Sequence, residues 1–275
     1  MEANYYLGID IGGSKTLFAV FDAGGKVIFE HKIKTPQVYQ ELITAIANVL
    51  KVELAPYKFS IVCCAVPGWI DFDKGVAVGF GNLPWENVPI LKDLEAIMPG
   101  IKVLLHNDAK LAGLSEAKIL PDTYRKVMYL TVSTGIGGGL IIDGVIHPDF
   151  ANFEPGQMMF EHDGKLMQWE DFASGKALKE RYGKLASELE DQQAWKDFSQ
   201  LIALGLEELL ATIQPDVVVF GGGVGAHFEK FKDFLEEDLN AIKNPLVPIP
   251  PLVKAQRSEE AVIYGCYDYI VQNQN

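Results

Sequence analysis

The residues best suited to chemistry sit in three glycine-rich segments, each led by an apolar run. The first, GIDIGGSKT (8–16), sets Asp10 at the end of a strand-like stretch, Gly12 and Gly13 at a turn, and Lys15 just beyond. A dinucleotide fingerprint would continue into a helix. Here the β-forming TLFAVF follows, so the glycines belong to a hairpin turn. That turn is either a plain connection or a place where glycine amides meet a phosphate, with Lys15 as a point charge and Asp10 holding Mg2+ through water. The second segment, STGIGGGLII (133–142), repeats the plan without charges and offers Ser133, Thr134, Gly135, Gly137 and Gly138 as hydroxyls and bare amides. The third, VVVFGGGVGAHF (217–228), runs a buried strand through Gly221, Gly222 and Gly223 toward a helix. Its glycines serve close packing or nucleotide approach. Three such loops together point to a nucleotide-binding protein.

Two further groups stand out. Asn107 and Asp108 fall where the strand-like IKVLLHND meets the helical AKLAGLSEAKIL, a place where both are favoured N-cap types. FANFEPGQMMF (150–160) puts Glu154, Pro155, Gly156 and Gln157 on a tight turn before an apolar run. It is either a loop end or the rim of a site.

The elements that must position these residues form a repeat. Residues 6–28 and 129–146 share a plan of apolar strand, polar residue (Asp10, Ser133), glycine turn, second strand, Asp-containing turn (Asp22, Asp143) and third strand. This predicts two related lobes, each opening with an antiparallel meander. YQELITAIANVLKVEL places Leu42, Ile43, Ile46, Val49 and Leu50 on one helical face. WEDFASGKALKERYGKLASELED and QQAWKDFSQLIALGLEELLATI read as helices, as does AHFEKFKDFLEEDL with Phe228, Phe231, Phe234 and Leu235 on one face. A proline-rich connector, KNPLVPIPPLV, precedes a last helix with Ser258 as its N-cap. Strands alternating with helices make the class α/β.

Composition bounds the function. Of 275 residues, 48% are hydrophobic and 22% charged, ordinary for a globular protein, and no apolar run is long enough for a membrane helix. A net charge of −13 argues against nucleic acid or a membrane surface as partner, so an anionic ligand must be held locally. The adjacent Cys63 and Cys64 in FSIVCCAV point to opposite faces of a strand, which predicts buried thiols and suits the cytoplasm. Trp69 and Trp85 pack either in the core or at a cleft.

LGIDIGGSKT, VPGWIDFDKG, NLPW, HNDAKLAGLSEA, VSTGIGGGLIIDG and VVFGGGV, in this order and spacing, resemble the ROK family of bacterial sugar kinases and repressors, a branch of the actin-like ATPase superfamily. The resemblance runs from about residue 5 to residue 270. It implies two ribonuclease-H-like lobes with ATP and sugar in an interlobe cleft: a lobe at 1–115 to which the C-terminal helix (about 257–275) returns, and a lobe at 116–256. It implies Asp108 as general base, sugar contacts at Gly68, Asn82, Asn107, Glu154, Gln157 and Glu170, and nucleotide and phosphate contacts at Asp10, Gly12, Gly13, Lys15, Ser133, Thr134, Gly135, Gly137, Gly222 and Gly223. Homodimers are frequent in the family.

The chain departs from the family at one place. Gln157 stands where many members carry the histidine of a Glu-X-Gly-His motif, and MMFEHDGKLMQ holds no cysteine and a lone His162, expected in a surface loop. A structural zinc site needs four Cys/His ligands, so no zinc is expected. The resulting expectation is an ATP- and Mg2+-dependent kinase of a hexose or N-acetylhexosamine. Alternatives are a catalytically weak or inactive sugar-binding protein, a polyphosphate-dependent glucokinase, and a sugar-responsive repressor, for which the first strand leaves no preceding DNA-binding helices.

Overall fold

The structure is a computed structural model and describes residues 5–81, 83–242, 244–257 and 260–274. The chain forms two compact units, Met1–Ser115 with Glu260–Asn275, and Glu116–Glu259.

The first unit opens with β1 (Tyr5–Ile11), β2 (Lys15–Phe21) and β3 (Val27–Lys34), followed by α1 (Tyr39–Val52) and β4 (Phe59–Val66). A small antiparallel sheet of β5 (Trp69–Asp71), β6 (Val76–Gly79) and β7 (Glu86–Val88) intervenes before α2 (Ile90–Ile97), β8 (Lys102–Asn107) and α3 (Asp108–Ala117). The main sheet has the order β3-β2-β1-β4-β8, with β2 antiparallel to β1 and with β4 and β8 parallel to it. Central strands covered on both faces must be apolar throughout, and β4 buries its last six residues. The edge strand β3 instead alternates half-buried and exposed positions and carries Glu30, His31, Lys32 and Lys34, which discourages further pairing. Helix α1 buries Tyr39, Leu42, Ile46 and Val49 on the core of Leu7, Ile9 and Val62; Ile43 and Leu50 flank that stripe half-buried.

The second unit repeats the arrangement. Strands β9 (Lys126–Val132), β10 (Ile136–Ile142) and β11 (Val145–Ile146) make the meander, and β12 (Met159–His162) with β13 (Lys165–Gln168) a hairpin. Then come α4 (Trp169–Ala173), α5 (Gly175–Tyr182), α6 (Gln192–Ile213), β14 (Val217–Gly221), α7 (Gly222–Gly225), α8 (Lys232–Ile242) and β15 (Leu252–Lys254). The sheet order β11-β10-β9-β14-β15 matches the first sheet strand for strand. The repeated sequence plan is therefore a repeated topology, a meander followed by two parallel strands. Last, α9 (Ala261–Gln272) packs on β1 and β4 of the first unit, where Gly8 lets Cys266 and Ile263 close on the sheet.

Three expected elements differ. The stretch from Trp169 to Asp191 is not one helix: Ser174 is extended and caps α5, and Gly183 ends α5 in the left-handed conformation. The helix expected from Ala226 divides into a 3-10 turn (Phe228–Lys230) and α8, although Phe228, Phe231 and Leu235 still share the core and Phe234 packs against it. His162 lies in β12 rather than a loop, stacked on Phe172 with ring centroids 4.3 Å apart. The N-cap expected at Ser258 falls outside the described residues. All three cysteines are buried and free. No helix among the described residues is long and apolar enough to cross a membrane.

Candidate functional site

In the first unit the strand register gathers the chemistry. Asp10 pairs with Ala65 on β4, and Ala65 pairs with His106 on β8, so Asp10 and the Asn107–Asp108 junction share the carboxyl-terminal edge of three parallel strands. That edge is where open α/β sheets bind ligands. Asn107, not Asp108, caps α3: its Oδ1 accepts the N–H groups of Ala109 at 2.9 Å and Lys110 at 3.3 Å. Its Nδ2 donates to the Gly68 carbonyl at 2.9 Å. Gly68 has a φ of +87°, and a Cβ there would overlap the Gly79 carbonyl, so the residue must be glycine. Asp108 is the first residue of α3, and its Oδ1 also accepts the Ala109 N–H, at 2.7 Å.

The charge of Asp108 reaches Asp10 across this edge. Burial first, and the Asp108 carboxylate second, push Asp10 up to about 7, while Lys15 pulls it down. His106 behind them is buried and pushed down to about 3 by that burial and by Lys110, so it is neutral; its Nδ1 accepts the Asn107 N–H at 2.9 Å. The ring rests between Phe72 and Tyr269 and braces the junction.

The first glycine turn is tied down from behind. The Gly12 N–H donates to the Lys15 carbonyl at 3.0 Å, which closes the turn and leaves Gly13 at its apex. The Gly12 carbonyl accepts the Thr35 hydroxyl at 2.7 Å, and Thr35 meets Thr16 at 2.9 Å, both fully buried.

In the second unit the matching turn closes through the Ser133 N–H on the Gly135 carbonyl at 2.9 Å and is anchored by the Gly175 N–H on the Ser133 carbonyl at 2.7 Å. Thr134 is its exposed apex. Gly137 and Gly138 lie inside β10, paired with Thr131 and Leu130, so they are strand residues and not turn residues. Parallel pairing of β9 with β14 sets the third glycine loop beside this turn. Packing explains more of that loop than its composition suggests. A Cβ on Gly221 would strike the Tyr129 hydroxyl, and Gly222 has a φ of +78° against the Val132 carbonyl; only Gly223 faces open space.

Glu170 reaches the same turn. Its Oε2 accepts the Ile136 N–H at 3.0 Å and its Oε1 the Gln157 Nε2 at 2.7 Å, while Gln157 Oε1 accepts Gln168 Nε2 at 2.6 Å. Gln157 ends a 3-10 turn, Pro155–Gln157, that follows Glu154 and packs on β10. A Cβ on Gly156 would overlap the Ile136 carbonyl, which is how that turn comes so close.

The structure thus collects Asp10, Lys15, Gly12, Gly13, Gly68, Asn107 and Asp108 in one unit, and Ser133, Thr134, Gly135, Gly222, Gly223, Gln157 and Glu170 in the other. Asn82 lies outside the described residues. Trp85 is core, bonded through Nε1 to the Gln37 carbonyl at 2.8 Å, whereas Trp69 is 44% exposed. Thr16, Thr35, His106 and Gln168 escape sequence reasoning; only the tertiary fold shows what they touch. Among the described residues no group of three or more His, Cys, Asp or Glu could hold a metal.

The chain resembles known proteins along its length. The chain is 24% identical to a glucokinase of Streptomyces coelicolor, covering 95% of this chain and 96% of that one. It is 28% identical to an N-acetyl-D-glucosamine kinase of Histophilus somni, covering 94% and 97%. A ROK family glucokinase from Streptomyces griseus, solved with glucose and AMPPNP, superposes with a TM-score of 0.80 over 98% of this chain and 99% of that one, at 22% identity. That likeness establishes the actin-like ATPase fold. Because the ROK family model matches residues 6–273, nearly end to end and across both copies of the repeat, the chain belongs to the ROK family.

Proposed function

We propose that this chain is a carbohydrate kinase that transfers the terminal phosphate of ATP to a hydroxyl of a hexose or N-acetylhexosamine, with Asp108 as general base. The observation that carries the reading is the place of Asp108, the first residue of α3, on the carboxyl-terminal sheet edge that also carries Asp10. A carboxylate so placed accepts the proton of the attacking hydroxyl. Asn107 and Gly68 fix the junction. Glu154 and Glu170, both half-buried, supply carboxylates for adjacent sugar hydroxyls, so a wrong epimer leaves them without those partners. The Gly13 and Thr134 apices and Gly223 are the places where backbone can approach a polyphosphate chain, and Lys15 adds a positive charge.

Mg2+ suits the first unit: two adjacent carboxylates that repel each other favour a divalent cation. Asp10 would hold it through water, and when bound it neutralises charge on the transferring phosphate. The relatives named glucokinase and N-acetyl-D-glucosamine kinase support the substrate class. A kinase drawing on ATP, with three buried thiols, suits the cytoplasm.

The test is a coupled phosphorylation assay over a panel of hexoses and N-acetylhexosamines, with ATP and polyphosphate as alternative donors. Asp108→Asn should abolish turnover while leaving the unfolding transition in place. Retained turnover in a folded Asp108→Asn protein refutes the general-base assignment.

A further inference from the structure

The geometry points to Gln157 and Gln168 as a directional carboxamide relay that positions Glu170 for the sugar; Gln157 and Gln168 act through Glu170 as positioning residues. This rests on the kinase reading above and deepens it at one site.

A carboxamide can be turned either way, and only its partners decide which end faces where. Here the partners do decide. The Glu170 carboxylate only accepts, so Gln157 must present Nε2 to it, at 2.7 Å. Gln157 Oε1 then faces Gln168, which must donate through its own Nε2, at 2.6 Å. The Oε1 of Gln168 is turned toward the first turn of α4, where Gln168 and Asp171 form a reciprocal capping box, with the Gln168 N–H on Asp171 Oδ2 at 3.1 Å. One orientation of both amides satisfies every partner, and it delivers an N–H to Glu170.

The other oxygen of Glu170 takes the Ile136 N–H, at the exit of the Ser133–Gly135 turn. Each carboxylate oxygen is therefore pinned by one protein donor. Each keeps a further lone pair for a hydroxyl of a polyol, the bidentate pattern that adjacent sugar hydroxyls match. The relay ties three segments to one carboxylate: the Pro155–Gln157 turn, the base of the β12–β13 hairpin, and the glycine turn. Both amides are neutral.

The decisive variant is Gln168→Glu. It has the same shape and still accepts at the helix start, but its carboxylate cannot donate to Gln157. Gln157 then turns its amide to donate to the new carboxylate, and Glu170 loses its donor. Calorimetric sugar binding without nucleotide, KM and kcat would be measured for wild type, Gln157→Ala, Gln168→Glu and the double variant. The expected result is a Kd and a KM for sugar raised about tenfold in Gln168→Glu, the scale of one lost hydrogen bond to a charged group, with kcat within about twofold. The penalty should shrink toward pH 5 as the introduced carboxyl protonates and regains a donor. In the double variant Gln168→Glu should add nothing to Gln157→Ala, because the relay is already cut. Additive effects, or a loss of sugar affinity that merely follows a lowered Tm, would make Gln168 a helix cap only and overturn the relay. A wild type that turns over with Gln168→Glu indistinguishable from it overturns the relay and spares the kinase reading. A wild type that neither binds nor phosphorylates any sugar of the panel overturns both.

Discussion

Replacing Asp10 by Asn should stabilise the first unit, and by an amount that depends on pH in a way no other explanation shares. In the folded protein burial and Asp108 hold Asp10 protonated up to about pH 7, against the ordinary 3.8. The folded state therefore binds more protons than the unfolded chain between those values, and stability falls as pH rises through that window. Below about pH 3 both states are protonated and the carboxyl costs nothing. Above pH 7 the cost is complete and corresponds to roughly 4 kcal/mol. Asp10 keeps partial solvent contact, so that figure is a ceiling. Asn cannot ionise. Denaturant unfolding of wild type and Asp10→Asn from about pH 2.5 to pH 8 should show a stability difference that is flat below about pH 3. It should climb by up to about 1.4 kcal/mol per pH unit and level off above pH 7. Asp108→Asn should reduce the climb by less than Asp10→Asn does, because burial is the larger of the two causes. A stability difference that stays constant with pH would refute the account and remove the electrostatic argument for a cation at this edge.

Gly68→Ala should cost at least about 2 kcal/mol in denaturant unfolding, since the left-handed backbone alone costs an L-residue about 1–2 and the new Cβ meets the Gly79 carbonyl; turnover should fall too, because the same residue holds Asn107. Thr35→Val keeps the shape but loses the bonds to Gly12 and Thr16. It should cost about 1–3 kcal/mol and raise the KM for the phosphate donor more than that for sugar. Glu116 is buried and accepts the N–H groups of Gln256 at 2.8 Å and Arg257 at 2.7 Å. Glu116→Gln turns one of those acceptors into a donor and should destabilise the second unit by about 1.5–3 kcal/mol in the same assay.

Much of this fold is legible along the chain because its signals are local. The two meanders show as paired apolar runs around glycine turns, and the buried strands FSIVCCAV and DVVVF as uninterrupted apolar runs. What misled were local signals with a tertiary explanation. Three successive glycines at 221–223 suggest ligand approach throughout, yet two of them answer to Tyr129 and to the backbone of β9. The helical pattern from Trp169 onward hides a break: Ser174 is extended where the Gly175 N–H meets the Ser133 carbonyl, and Gly183 ends α5 in the left-handed conformation. Gly137 reads as a turn residue, but the register of β10 places it two residues past the turn.

The sequence by itself determined the α/β class, the internal repeat, the glycine loops and the residue types at Asp10, Asn107, Asp108 and Glu170, because period, turn chemistry and residue type are properties of short stretches. Only the tertiary structure decided which of them act together. Register across β1, β4 and β8 sets Asp10 beside Asp108, though 98 positions of chain separate them. Asn107 takes the N–H groups of both Ala109 and Lys110 while Asp108 opens α3, a division of labour that two adjacent favoured cap residues cannot announce. Gln157 shows the limit most clearly. Its sequence position marks a departure from its family, but its role follows from what Glu170 and Gln168 can donate and accept, and those partners meet only in the folded chain.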